Sequence, residues 1–263
     1  MLKSIPHKIN LGLHIIEKLP SGFHNIETVF YPCNYYVDTI EITPASSFSF
    51  SLINADFTCE VEQNLCVKAY RLLEKAYSIP PVLISLTKQI PSSAGLGGGS
   101  ADAAYTLLIL NELFSLNLSL KQLQRFAAQL GSDTAFFLYN TPMYATGKGD
   151  ILEPINLDLS KYNIEIIVPN ISISTKDAYN AITPKKPKSD LKQIISFPIE
   201  EWKNLLVNDF EEVIFKQYPS LMEIKNDFYE RGAIYASLSG SGSAVFGIFA
   251  TQGAFEDRKS VRP

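Results

Sequence analysis

The sequence predicts an α+β protein built in two lobes. Three observations predict it. Apolar and polar residues alternate through most of the first third of the chain, helical periods interleave with short strands after that, and a stretch from Leu157 to Asn163 parts two halves of comparable weight. A length of 263 residues allows one large domain or two modest ones, and the lobes are expected at 1–157 and 158–263. With 46% apolar and 19% charged residues the chain is neither disordered nor collagen-like, and it is long enough to bury a substantial core.

From Ile5 to Ile15, Ile5, Ile9, Leu11, Leu13 and Ile15 share one face and Lys8, Asn10, Gly12 and His14 the other, the pattern of a half-buried strand. Runs at Ile26 to Tyr31, Val37 to Thr43 and Phe48 to Ile53, separated by Pro, Asn and Ser, read as an antiparallel meander. Leu65, Ala69, Leu72, Leu73 and Ala76 recur at helical spacing within Glu62 to Tyr77, and Pro80-Pro81 stops that helix before a strand at Val82 to Thr87. A loop from Pro91 to Gly99 opens into an apolar helix from Ser100; a second helix, Leu120 to Leu130, ends at Gly131. Thr141 to Glu153 reads as a hairpin around Gly147-Lys148-Gly149, and Ile164 to Val168 as a short buried strand. Pro184 to Lys188 is a basic connection without a pattern. Helices follow near Glu200 to Phe215 and Ser220 to Arg231, then strands at Ile234 to Leu238 and Ala244 to Phe249, and a charged tail, Glu256 to Pro263, expected to fray.

Charge and cysteine content narrow the function. A net charge of -4 is too balanced for a protein that neutralises many nucleic-acid phosphates, although a small anionic ligand needs only a local site. Cys33, Cys59 and Cys66 form neither a CxxC pair nor an even set, so no disulfide framework or zinc cluster is indicated. His7, Lys8, Asn10 and His14 interrupt the amino terminus before a signal-peptide core could form, no Arg- and Ser-rich leader is present, and no run of about 18 apolar residues occurs. The expected setting is a bacterial cytoplasm.

Four of the 14 glycines, Gly95, Gly97, Gly98 and Gly99, fall within five positions. They belong to Pro91-Ser92-Ser93-Ala94-Gly95-Leu96-Gly97-Gly98-Gly99-Ser100-Ala101, between a strand and a strong helix. Glycine allows positive φ and close backbone approach, so successive N–H groups can converge on a phosphate while the helix dipole adds to their field. No Gly-Lys-Ser/Thr follows, and Gly95-x-Gly97-x-x lands on Ser100, so the loop is neither a Walker A sequence nor a dinucleotide fingerprint. A flexible surface linker is the plainer alternative, but a linker would not open straight into an apolar helix.

Single candidates for chemistry each have a plain counterpart. Lys8 could be a lysine on the solvated side of an edge strand, Asp133 a helix cap after Gly131, and His24 an exposed residue of the Pro20-Ser21-Gly22-Phe23 turn. Ser239-Gly240-Ser241-Gly242 could be a close-approach loop or an ordinary hairpin. Together, though, Lys8-Ile9-Asn10-Leu11, Ser21-Gly22-Phe23-His24, Gln63-Asn64-Leu65, the glycine loop, Leu130-Gly131-Ser132-Asp133 and Leu238 to Gly242 occur in an order that resembles the GHMP-type small-molecule kinases. The resemblance runs through almost the whole chain.

That resemblance implies a two-lobed fold, with an amino-terminal half like the second domain of ribosomal protein S5, a ferredoxin-like carboxy-terminal half and a site in the cleft between them. It implies ATP held by Pro91 to Ala101, Asp133 as base with Lys8 as its partner, and Mg²⁺ assisted by the Ser100 hydroxyl. Asn10, Phe23, His24 and Tyr179 match substrate positions, with His24 reading a cytosine edge and Phe23 and Tyr179 offering stacking faces. The implied acceptor is a cytidine diphosphate derivative of methylerythritol, phosphorylated on its 2-hydroxyl in the isoprenoid precursor route that does not use mevalonate. A monomer or homodimer without nucleic-acid or membrane partners is expected. Three departures stand out: Ser92-Ser93-Ala94 where related loops are richer in glycine, Ala101 in place of a second serine, and Phe23 in place of tyrosine. Ser21 to His24 distinguishes this reading from sister kinases acting on mevalonate, homoserine or a sugar. Lys8 and Asp133 together distinguish it from a silent nucleotide- or RNA-binding module, which needs no base.

Overall fold

The computed structural model describes residues 1–55, 57, 59–187 and 189–251. Two compact units divide it, one of Met1–Lys8, Pro32–Ser92 and Leu96–Thr141, the other of Ile9–Tyr31, Ser93–Gly95 and Pro142 onward. Strands β1 (Leu2–Lys18) and β2 (His24–Pro44) each contribute residues to both.

In the first unit the later part of β2 pairs antiparallel with β4 (Val82–Thr87), Thr39 opposite Thr87 and Pro44 opposite Val82. Strand β3 (Ser49–Ile53) pairs with β4 in parallel, Ser49 opposite Leu83 and Ile53 opposite Thr87. The antiparallel meander expected here is therefore wrong at β3. The connection from β3 to β4 carries helix α1 (Leu65–Tyr77), and a helical crossover delivers the next strand in the same direction as the last. The expected break between two strands at Pro32 and Asn34 is also absent, since β2 runs through both. They lie between the residues of β2 laddered to β5 and those laddered to β4, along a strand that also pairs with β1.

Helix α1 starts at Asn64, whose side-chain oxygen accepts the Cys66 N–H at 2.9 Å. It buries Cys66, Val67, Ala69, Tyr70 and Leu73, a stripe at helical spacing, and packs against α2 (Gly98–Leu113). Helix α2 is buried on most sides, as its run of Ala and Leu predicts. Helix α3 (Leu120–Leu130) opens with a Ser119–Gln122 capping box and ends at Gly131, and α4 (Thr134–Tyr139) follows. The Gly131 φ of 171° is extended backbone open to any residue, so this glycine is not a left-handed helix stop.

In the second unit β1 turns into β2 through Leu19 to Phe23, and Thr28 to Phe30 pair with β5 (Met143–Thr146). Strand β5 forms the expected hairpin with β6 (Ile151–Pro154). A second sheet has the order β7 (Tyr162–Ile167), β9 (Val245–Ala250), β8 (Tyr235–Leu238), antiparallel throughout. Helices α5 (Thr175–Ala181), α6 (Leu191–Ser196), α7 (Trp202–Leu205), α8 (Glu211–Gln217) and α9 (Pro219–Glu230) complete it. The core of this unit gathers Leu13, Ile15, Ile26, Phe210, Ile214, Leu221, Phe228, Leu238 and Val245.

The helix expected over Glu200 to Phe215 is broken between α7 and α8. Asn208 and Asp209 supply the reason, because their side chains bind backbone elsewhere. Asn208 Nδ2 donates to the carbonyls of Leu238 and Gly240 at 2.9 and 2.8 Å, and Asp209 Oδ2 accepts the Ile15 N–H at 2.9 Å. Such bonds compete with helix formation. The basic connection remains without helix or strand through residue 187, while Lys188 and the tail Glu256 to Pro263 lie outside the described residues. No helix among the described residues is long and apolar enough to cross a membrane.

One buried polar group makes this fold acid-sensitive. His7 is 0% exposed, its Nδ1 lies 3.3 Å from the Lys8 carbonyl, and its Nε2 has no hydrogen-bond partner among the described residues. Burial, the largest cause, lowers its pKa to about 4, so the folded state resists a proton that the unfolded chain accepts below about 6.5. Its contribution is present above pH 6.5 and is lost as pH falls through 4, up to roughly 3 kcal/mol at the acid end. The urea midpoint should therefore fall more between pH 7 and pH 4.5 for the wild type than for His7→Leu; an equal fall in both would remove His7 as the cause.

Candidate functional site

Within the first unit, three sequence-separated features meet. Lys8 lies on β1 at 3% exposure, its N–H bonded to the Leu96 carbonyl at 3.0 Å. Its ammonium is 3.5 Å from Asp133 Oδ2, with 4% of the lysine side chain and 31% of the aspartate side chain exposed. Lys8 is therefore not the solvated edge-strand lysine that its alternation alone allowed. Asp133 occupies the N-cap position of α4 yet makes no side-chain cap hydrogen bond. Its carboxylate faces Lys8 instead. Burial lowers the Lys8 pKa and the Asp133 carboxylate opposes that shift.

The glycine loop supplies the third feature. Gly97, φ 73°, is the N-cap of α2 and offers no side-chain cap, so the first amides of α2 face outward without one. A Cβ at Gly97 would stand 3.0 Å from the Phe137 ring and 3.3 Å from Lys8 Cε, which puts the cradle directly beside the lysine. Ser100 Oγ and Thr134 Oγ1 lie 3.4 and 3.1 Å from the Cβ position of Gly131, so the start of α2 also borders the turn that carries Asp133. Space, not dihedral, is what Gly131 provides.

The expected cofactor residues differ in what they can present. Ala94, Leu96 and Ala101 bury their side chains, so only their backbone can meet a phosphate. Pro91, Ser92, Gly95, Gly97, Gly98 and Ser100 are half-buried, while Ser93 and Gly99 are exposed. Ser93 takes φ 54°, a conformation that a glycine would adopt without strain.

In the second unit, Asn10 is 2% exposed; its Nδ2 donates to Thr28 Oγ1 at 3.0 Å and its N–H to Ser239 Oγ at 3.3 Å. Ser239 Oγ donates in turn to the Gly95 carbonyl at 3.0 Å, and the Ala244 N–H to the Ala94 carbonyl at 3.0 Å. The Ser239 to Gly242 turn is thus a close-approach loop, packed on Ser93 to Gly95. His24 is 6% exposed, not an open turn residue, and stacks on Tyr179 with ring centroids 4.9 Å apart at 25°. Burial, with Lys18 adding to it, lowers the His24 pKa and keeps the ring neutral at pH 7. Tyr179 meets Phe210 edge to face. Phe23 is 54% exposed beneath the Lys148 ammonium, 4.9 Å from its ring centre, so its open face is available for stacking.

Sequence reasoning missed a buried ion cluster in the first unit. Lys88 Nζ donates to Asp38 and, at 2.6 Å, to Asp102 Oδ2. Burial pushes the Asp102 carboxyl up to about 7 against the pull of Lys88. The signal was present: Asp102 is the one charged residue between Ser100 and Leu110.

Comparison with known proteins gives consistent matches. The GHMP kinases N terminal domain matches residues 64–141 and the GHMP kinases C terminal domain residues 191–260. The 4-diphosphocytidyl-2-C-methyl-D-erythritol kinase of Bacteroides fragilis is 50% identical over 249 residues, 93% of this chain and 90% of that protein. Its counterpart in Bacteroides thetaiotaomicron is 49% identical over 254 residues, 95% of this chain and 92% of that protein. A crystal structure of 4-(cytidine 5'-diphospho)-2C-methyl-D-erythritol kinase superposes with a TM-score of 0.80 at 30% identity, covering 99% of this chain and 93% of the other. Methanococcus jannaschii mevalonate kinase, with a TM-score of 0.68 at 16% identity over 99% of this chain and 94% of its own, shares the fold alone. The two-domain α+β architecture is that of these kinases.

The glycines of the loop should respond unequally to substitution. A Cβ at Gly95, φ 79°, would stand 2.0 Å from the Ser239 carbonyl oxygen, whereas Gly99 lies in α2 with Leu65 Cδ1, at 3.5 Å, as its nearest neighbour. Gly95→Ala should cost at least about 3 kcal/mol of stability, and Gly99→Ala should be neutral or stabilising by up to about 1 kcal/mol. Chemical denaturation of the two variants checks this, and equal effects would contradict the geometry.

Proposed function

This chain belongs to the GHMP kinases, ATP-dependent kinases of small molecules, and we propose that it transfers the γ-phosphoryl group of ATP to the 2-hydroxyl of 4-diphosphocytidyl-2-C-methyl-D-erythritol. The observation that carries the mechanism is the Lys8–Asp133 pair, 3.5 Å apart and next to the Gly97 cradle. The substrate assignment is supported by relatives of that name at about half identity over nine-tenths of the chain. Lobes at 1–157 and 158–263 accord with family matches that each fall within one of them.

Phosphoryl transfer asks the protein for in-line positioning and charge compensation more than for covalent chemistry. Backbone amides between Pro91 and Ala101, together with the α2 N-terminus, hold the phosphates. Asp133, partly exposed, accepts the proton of the acceptor hydroxyl. The buried Lys8 ammonium, 3.5 Å from that carboxylate, favours the alkoxide as its charge develops. Asn10 orients the acceptor from β1, neutral His24 reads the cytosine edge, and Phe23 and Tyr179 contribute faces for the base.

Among the described residues no group of three or more His, Cys, Asp or Glu could hold a metal ion. That fits Mg²⁺ arriving with ATP, because this ion keeps waters and takes most ligands from phosphate oxygens, needing one or two protein oxygens. Ser100 Oγ is the group we assign to it, and the ion would neutralise charge on the β and γ phosphates. Free thiols at Cys33, Cys59 and Cys66 support a reducing bacterial cytoplasm as the setting.

Incubation with labelled ATP and Mg²⁺ should give transfer to diphosphocytidyl-methylerythritol and not to mevalonate or homoserine. The reverse pattern would overturn the substrate assignment. Asp133→Asn and Lys8→Met should each lower kcat by about 10²- to 10⁴-fold with ATP affinity little changed. Near-normal kcat in Asp133→Asn would remove it as the base.

A further inference from the structure

The segments on either side of the glycine loop end on one buried ion cluster. Asp38, 0% exposed, accepts the N–H groups of Gln89 and Ile90 on one oxygen, at 2.5 and 2.8 Å, and the Lys88 ammonium on the other. These are the residues that lead into Pro91. On the far side of the loop, Lys88 reaches Asp102 in the first turns of α2, and Thr106 Oγ1 donates to the Asp102 carbonyl at 2.8 Å. One ammonium therefore joins the entry of the loop to its exit. It also lies directly beneath the cradle, 3.4 Å from the position a Cβ at Gly98 would take, with Ile90 Cγ2 at 2.9 Å.

Stability does not explain this arrangement. Asp102 Oδ1 is buried without a hydrogen-bond partner among the described residues, and two carboxylates share a single lysine in a setting otherwise lined by groups such as the buried Cys66. Replacing buried ion clusters with packed apolar side chains is often neutral or stabilising. What charged groups supply and apolar ones do not is directional fixing of backbone, here the Gln89 and Ile90 amides and the start of α2. A loop already held in its binding shape loses less freedom when a ligand arrives.

The geometry points to Lys88, bridged to Asp38 and Asp102, as a positioning residue that holds the glycine loop ready for the phosphates of ATP without touching the nucleotide. This rests on the reading of that loop as the ATP site. Nucleotide binding is therefore measured by calorimetry with ATP and Mg²⁺ alone, then by steady-state kinetics with the acceptor. Lys88→Met and the uncharged triple variant Asp38→Asn/Lys88→Met/Asp102→Leu, which leaves an oxygen for the Gln89 and Ile90 amides and no unpaired charge, should raise the ATP dissociation constant and KM about 10- to 100-fold, with kcat at saturating ATP within about threefold of wild type. The triple variant should keep or gain thermal stability, which a purely structural role would not combine with lost affinity, and Lys88→Arg should recover most of the binding. Unchanged ATP affinity in a folded triple variant would overturn the proposal, as would a fall in kcat matching the fall in affinity. Failure of the wild type to bind ATP would overturn the reading of the loop itself, a separate result.

Discussion

The structure of the first unit turns on a lysine kept out of water. Lys8 is 3% exposed, and a charge so placed is tolerable only with a partner, which Asp133 provides at 3.5 Å. Several otherwise separate features follow from that pairing. Asp133 stands at a helix N-cap but leaves the cap unmade. Gly97 has no side chain where one would crowd Phe137 and Lys8 Cε, and the Leu96 carbonyl ties the loop to the Lys8 backbone. β1 carries the lysine, and two residues later, on the same face of the strand, Asn10.

Glycine acts in this loop chiefly by leaving room. At Gly95 the missing Cβ admits the Ser239 carbonyl, at Gly97 the Phe137 ring, and at Gly98 the Ile90 side chain. Gly131 repeats the device outside the loop, at an ordinary extended φ, by making space for Thr134 Oγ1 and Ser100 Oγ. Composition brought the cluster to notice, but it could not say which glycines are obligatory, because that depends on neighbours remote in sequence. Gly99, identical by sequence criteria, has no such neighbour.

Legibility in the sequence followed the range of the interactions. Strand β4, helix α3 and the β5–β6 hairpin appear where periodicity and turn residues put them, since local pattern decides them. The parallel pairing of β3 and the break at Asn208-Asp209 were not legible, because a crossover and side-chain bonds to Ile15, Leu238 and Gly240 decide those. Helices α5 and α6, seven and six residues long, carry too few turns for a periodic signal. At the candidate site, residue types in order singled out Lys8, Asp133 and the loop, which the structure brings together. Alternation alone put Lys8 in solvent, and a turn sequence alone exposed His24; tertiary cover reverses both.

Two lysines of the first unit, Lys8 and Lys88, are buried against aspartates beside the same glycine loop, and exposure separates their work. A general base must be reached by the hydroxyl whose proton it takes. The Asp133 side chain is 31% exposed, whereas those of Asp38 and Asp102 are 0% and 4% exposed. Asp38 already binds two backbone amides and the Lys88 ammonium, so proton transfer there would break the geometry that holds the loop entry. The Asp133 side chain makes no cap hydrogen bond, so a proton taken up there unmakes no helix start. On the proposed reading the chemistry falls to the pair with an open side, and the closed cluster holds backbone in place.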